Sequence, residues 1–176
     1  MRSLTGPHPD ATVPVVDDVL PENGRRSRGT YEQTLRRMKA AHHSGCLFSR
    51  PTSVIPDIAV RFDDAGTLQG CFTPTEEQQG YNGRMHGGVI AALADAAMAQ
   101  CLMGHGIDGY TIDLSVKYRK PVMLHTPTQI ISLITGTALG GMLYEMKCDF
   151  FQQRMLVAGA TGRFYRDKAV GKERSD

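Results

Sequence analysis

The segment His86-Gly87-Gly88-Val89-Ile90-Ala91-Ala92-Leu93-Ala94-Asp95 holds the residues best equipped for chemistry. Two glycines open what reads as a helix, and a lone carboxylate stands inside it. Glycine has no side chain that could cap a helix, so the Gly87 and Gly88 N–H groups are expected to face a ligand. The positive end of the helix dipole lies behind them. Asp95 lies among alanines and apolar residues, where an ionised carboxylate is costly without a purpose. Donors for a developing oxyanion, and a carboxylate that attacks or activates water, are what hydrolysis of a thioester requires.

Spacing adds a constraint. Gly87 and Asp95 are eight residues apart, roughly 12 Å along a helix. One carbonyl cannot touch both. If the two cooperate, the oxyanion donor of one chain must meet Asp95 of another. The simplest arrangement is a two-fold dimer with two equivalent sites at its interface.

The other polar candidates are weaker. His86 precedes the helix, where a histidine either shapes the loop or moves a proton. Thr111 begins the alternating run Thr111 to Arg119. Alternation would place Ile112, Leu114, Val116 and Tyr118 on one face, with Thr111, Asp113, Ser115, Lys117 and Arg119 on the other. Lys117, Arg119 and Lys120 are cations of the kind that meet phosphates. Cys101 lies on the central helix without a basic neighbour at helical spacing and reads as a buried thiol. His42-His43 has no further ligands at useful distance, so no metal is expected.

Positioning these groups requires elements on both sides of the helix. The central helix is expected from about Gly87 to Met103, ending near Gly104 or Gly106. Before it, Ile58–Phe62 and Leu68–Phe72 flank Asp63-Asp64-Ala65-Gly66, a hairpin signal. A Glu-, Gln- and Gly-rich loop follows over 74–85. After the helix come four strand-like runs, Tyr110–Tyr118, Thr128–Ala138, Leu143–Phe151 and Met155–Tyr165, with turns at Gly140-Gly141 and Gln152-Gln153. A shorter helix begins near Thr30, with capping-box spacing to Gln33. It places Tyr31, Leu35, Met38 and His42 on one face, ends at Gly45, and is expected to pack outside the main body. A hairpin, one long helix apolar nearly all round, and four consecutive strands predict an α+β domain in which an antiparallel sheet wraps the helix.

Composition narrows the class. The chain has 176 residues, 41% of them hydrophobic, which is enough for one domain with its own core. The net charge of +2 and the lack of a basic cluster with interleaved aromatics argue against nucleic acid. Cys46, Cys71, Cys101 and Cys148 show no CxxC or Cys/His ligand spacing, which argues against zinc and a disulfide framework and for a cytoplasmic setting. No signal-like N-terminus and no stretch approaching transmembrane length is evident, so membrane insertion is not expected. The expected organisation is an extended arm over 1–29, a helix and connection over 30–54, the main domain over 55–166, and a charged tail over 167–176.

His86-Gly87-Gly88, Ala92-Leu93-Ala94-Asp95 and Thr111-x-Asp113-Leu114-x-Val116-x-Tyr118-x-x-Pro121 together resemble the hotdog-fold acyl-CoA thioesterases of the phenylacetate-pathway type. The resemblance spans roughly residues 55–166. It implies a homodimer, paired into a homotetramer, with acyl-CoA as substrate and no cofactor beyond the coenzyme A of the substrate. In that family the acid at the Asp95 position is general base or nucleophile, and the N–H at the Gly87 position polarises the thioester carbonyl. The hydroxyl at the Thr111 position helps to hold the attacking water. Many members carry an asparagine six residues before the motif histidine, where this chain has Gly80. Asn82 is the nearest substitute, with Gln78 and Gln79 also in reach, and Asn82 and Gly88 are the expected substrate contacts. A non-catalytic acyl-CoA-binding protein and a hotdog dehydratase or hydratase are the alternative readings.

Overall fold

The computed structural model describes residues 27–49, 54–56 and 58–166. The arm expected over 1–29 lies outside these residues up to 26, and the tail expected over 167–176 lies wholly outside them. The helices are α1 (Arg28–His42) and α2 (Gly87–Gly104). The strands are β1 (Ala59–Phe62), β2 (Leu68–Phe72), β3 (Gly109–Tyr118), β4 (Thr128–Ala138), β5 (Leu143–Gln152) and β6 (Met155–Arg166).

The six strands form one sheet in the order β1-β2-β4-β5-β6-β3, and every neighbouring pair is antiparallel. This is the α+β hotdog architecture expected from the sequence. The sheet curls around α2, which packs against β2 through β6. Alternation along each strand supplies the inner surface. Ile130 and Ile134, Met146 and Phe150, and Ala160 and Phe164 are all buried. On β6 the small residues Ala158, Ala160 and Gly162 let the sheet approach closely, and a Cβ on Gly162 would lie 3.2 Å from Met98 of α2. Register shifts between Thr111 and Asp113, between Ile134 and Gly136, and between Phe150 and Phe151 add local bends to the curl.

Local chemistry fixes the ends of the elements. In the β1–β2 turn the Asp63 carboxylate accepts from the N–H groups of Ala65 (3.0 Å) and Thr67 (2.9 Å). Gly66 takes φ +79° there, a conformation that favours glycine. At the end of α2 the Gly106 N–H bonds to Met103 O and the Ile107 N–H to Leu102 O. With Gly106 at φ +76°, this is a Schellman stop. Gln153 and Arg154 make the β5–β6 turn with positive φ. The turn sits one residue later than expected because Gln152 stays in the strand. Its buried amide binds Met123 O, Thr126 O and Thr128 Oγ1.

Two expectations need correction. The first concerns α1, which starts at Arg28 with Ser27 as N-cap residue rather than at Thr30 and ends at His42 before Gly45. It is also less peripheral than expected, because Tyr31 is buried against Phe62 and His105, with ring centroids 5.5 and 4.8 Å away. The second concerns membrane spans. By length and composition the 18 residues of α2 could cross a bilayer, but 56% of that stretch is buried inside the fold. Here α2 is the core helix.

Candidate active site

The loop before α2 is pinned on three sides, and this sets where the helix begins. Met85 N–H bonds to Val122 O and His86 N–H to Gln78 O, both at 2.8 Å. Arg84 bridges to Met123. The stretch expected as plain loop contains a single 3₁₀ turn at Glu76–Gln78. His86 is the N-cap residue of α2, and its Nδ1 accepts from Gly88 N–H at 2.9 Å. The ring proton then sits on Nε2.

This cap corrects the expectation that both glycines present free N–H groups. The Gly88 N–H is taken by His86. Among the described residues nothing accepts from the Gly87 N–H. One donor therefore remains at the positive end of α2. It is flanked by a residue whose importance the sequence did not reveal: the Tyr118 hydroxyl donates to Gly87 O at 2.8 Å. A Cβ on Gly87 would stand 3.3 Å from the Tyr118 ring, so a larger residue here would push Tyr118 aside. The sequence signal was available, because Tyr118 closes the strand motif that carries the resemblance. Only the sheet register could place it against Gly87.

Asp95 is half-buried on α2, and Thr111 Oγ1 donates to its Oδ1 at 2.6 Å. This contact overturns the simple alternation expected for β3. Thr111 pairs with Phe164 and Asp113 with Arg163, so Ile112 is an extra residue without a partner on β6. The bulge keeps Thr111 on the helix-facing side together with Leu114 and Val116, which pack against the core. It sends Ile112 outward, 49% exposed. Asp113 stays on the outer face and pairs with Arg163 at 3.2 Å.

The loop residues near Gly80 are engaged in building the loop. Gln78 is buried and its Oε1 accepts from Thr75 N–H at 2.8 Å. Gln79 Oε1 accepts from Gly83 N–H at 2.9 Å. Asn82 is exposed and lines a shallow recess with Gly80, Tyr81 and Arg84. A Cβ on Gly80 would lie 3.0 Å from His86 Cα and 3.2 Å from its ring, so an asparagine there would displace His86. Among the described residues Thr111 is the hydrogen-bond partner of Asp95. Neither Asn82 nor either glutamine is.

Other titratable groups stand apart. Burial pushes the Cys101 thiol up to about 12 and the Cys148 thiol well above its usual range. Cys101 donates to Ser132 O at 3.4 Å, and both thiols remain neutral and poorly nucleophilic. His43 Nε2 lies 3.5 Å from Asp108. Among the described residues no group of three His, Cys, Asp or Glu side chains is placed to hold a metal ion. Lys117, Arg119 and Lys120 are exposed around the end of β3.

A helix running through a curled six-stranded antiparallel sheet is the hotdog architecture. Within that architecture, residues 82–157 match the thioesterase superfamily, and this segment contains Gly87, Asp95 and Thr111. A solved thioesterase superfamily protein is similar at 25% identity with a TM-score of 0.59. The match covers 64% of this chain and 54% of that one, so this chain spans about half the length of that relative. A hypothetical thioesterase of Streptococcus pneumoniae, solved with coenzyme A, is similar at 21% identity and TM-score 0.57, over 62% of this chain and 88% of that one. The PaaI protein of the Escherichia coli phenylacetic acid degradation operon is similar at 16% identity and TM-score 0.64, over 81% of this chain and 96% of that one. No curated protein sequence matches the chain. The resemblance to the hotdog thioesterases is borne out.

Proposed function

We propose that this protein hydrolyses acyl-CoA thioesters to the free acid and coenzyme A, at sites built by two protomers. The observation that carries the reading is the Thr111–Asp95 hydrogen bond, 2.6 Å long, at the centre of a helix within the matched segment. Coenzyme A in the solved streptococcal thioesterase supports the choice of carrier.

In this reading the thioester carbonyl oxygen sits on the Gly87 N–H of one protomer, and Asp95 of the other stands beside the carbonyl carbon. Two routes balance. As general base, Asp95 takes a proton from water while the water oxygen bonds to the carbonyl carbon. The tetrahedral oxyanion is held at Gly87 and collapses with loss of the CoA thiolate, which takes the proton back. As nucleophile, Asp95 Oδ2 forms an anhydride with loss of the thiolate; water then cleaves the anhydride to the free acid and the Asp95 carboxyl, whose proton passes to the thiolate. In both, Thr111 occupies Oδ1 and leaves Oδ2 for the reaction.

Two features support the dimer. α2 runs unbroken from Gly87 to Gly104, so the two groups stay roughly 12 Å apart within one chain. β3 is an edge strand whose exposed residues include Tyr110 and Ile112, and an exposed apolar edge is a pairing surface. No metal or redox cofactor is needed for either route.

The test is thiol release from short, medium, long and aromatic acyl-CoAs by the wild type and Asp95→Asn. The expected result is wild-type turnover that falls by at least ~10²-fold in the variant, an order typical of removing a base. Unchanged turnover in Asp95→Asn would overturn the assignment of Asp95. Acyl-CoA binding without turnover would favour the non-catalytic reading.

A further inference from the structure

A cavity of about 100 Å³ lies between α2, the β1–β2–β4 end of the sheet and α1. Its helix wall is Leu93, Ala96, Ala97 and Gln100. At roughly 100° per residue these point about 150° away from Asp95, so the cavity is on the opposite side of α2 from the Asp95–Thr111 pair. Its floor is apolar and buried, with Leu68, Leu93 and Ile130 nearly inaccessible. Lys39 and Gln100 also line it, and both are half-buried.

The apolar floor offers contacts that a small apolar chain would fill. An apolar cavity of about 150 Å³ accepts benzene, so this one has room for about four carbons. The polar partners select the other end of the occupant. Lys39 makes no ion pair with a carboxylate among the described residues, and Gln100, which lines the same cavity, carries an amide with two N–H donors. Ammonium and amide donors together suit a carboxylate and disfavour a cation. The geometry points to a binding site for a short aliphatic carboxylate, its head on Lys39 and Gln100 and its tail against Leu68, Leu93 and Ile130. The hydrolysis proposed above releases acids of this class, but the site itself does not depend on that reaction.

The test is calorimetric titration of the whole protein with pentanoate, with pentanol and decanoate as controls for head and length. Pentanoate binds saturably in the expected result, and pentanol and decanoate at least about tenfold more weakly. Lys39→Met at the rim weakens pentanoate about tenfold, as loss of a charge-assisted contact does. Ile58→Phe, which enlarges a half-buried rim residue, blocks it. Pentanoyl-CoA does not displace the acid. Absence of saturable pentanoate binding, or binding indifferent to both variants, would overturn the site. So would displacement by pentanoyl-CoA, because the cavity would then belong to the catalytic groove. Failure of thiol release in the function assay leaves this binding measurement intact, so the two proposals fail separately.

Discussion

Thr111 and Asp95 form the contact on which the chemistry depends. A hydroxyl 2.6 Å from a carboxylate oxygen fixes the orientation of the carboxylate plane. A hydrogen bond to a charged group contributes about 1.5–3 kcal/mol when well sheltered. Both residues are half-exposed, so the lower end of that range applies here. Thr111→Val keeps the shape of the side chain and removes the donor. Its kcat is expected to fall about tenfold at nearly unchanged KM, with the melting temperature lowered by about 3–6 °C. Steady-state kinetics on the preferred acyl-CoA would check this. An unaltered kcat would reduce Thr111 to packing. The sequence made Asp95 conspicuous because a lone carboxylate among alanines has few structural excuses. It hid the commitment of Gly88, because a histidine cap depends on a rotamer rather than on a residue type. It also hid the Tyr118–Gly87 contact, which joins residues 31 positions apart.

Elements were legible wherever one period dominated. The limits of β4 coincide with expectation, and those of β3, β5 and β6 shift by one residue. Strict alternation and turn residues carry that information locally. The bulge at Ile112 was not legible because a period-two pattern continues through it. Only pairing with Phe164 and Arg163 shows the extra residue. The stop of α2 is a second case. Gly104 reads as a breaker, yet it is helical, and its lack of a side chain serves packing. A Cβ there would overlap the Phe62 ring, and Phe62 is itself buried and stacked on Tyr31. Helix propensity alone would make Gly104→Ala stabilising by roughly 1 kcal/mol. Overpacking opposes it by about 1–3 kcal/mol, and a buried aromatic held on both sides has little room to yield. The variant is therefore expected to be less stable than wild type in urea denaturation. Stability equal to or above wild type would show that Phe62 and Tyr31 move freely, and that α1 is only loosely docked.

The whole molecule raises the question of whether a single chain contains a complete site. α2 places its one unengaged N–H at Gly87 and its carboxylate at Asp95, two turns further along. No bending of a continuous helix brings these together, whereas a second copy paired along β3 can. Complementation separates the cases. Asp95→Asn removes the carboxylate and keeps the Gly87 donor. Gly87→Val keeps the carboxylate and drives a side chain into Tyr118, from which even a Cβ would be 3.3 Å. Each variant alone is expected to be nearly inactive. In a mixed dimer one site carries both defects, and the other pairs the intact Gly87 of one chain with the intact Asp95 of its partner. Random pairing makes half the molecules mixed, each with one good site of two. Equal co-expression should therefore restore about a quarter of wild-type thiol release. A site contained within each chain gives no recovery, because every protomer then carries a defect of its own.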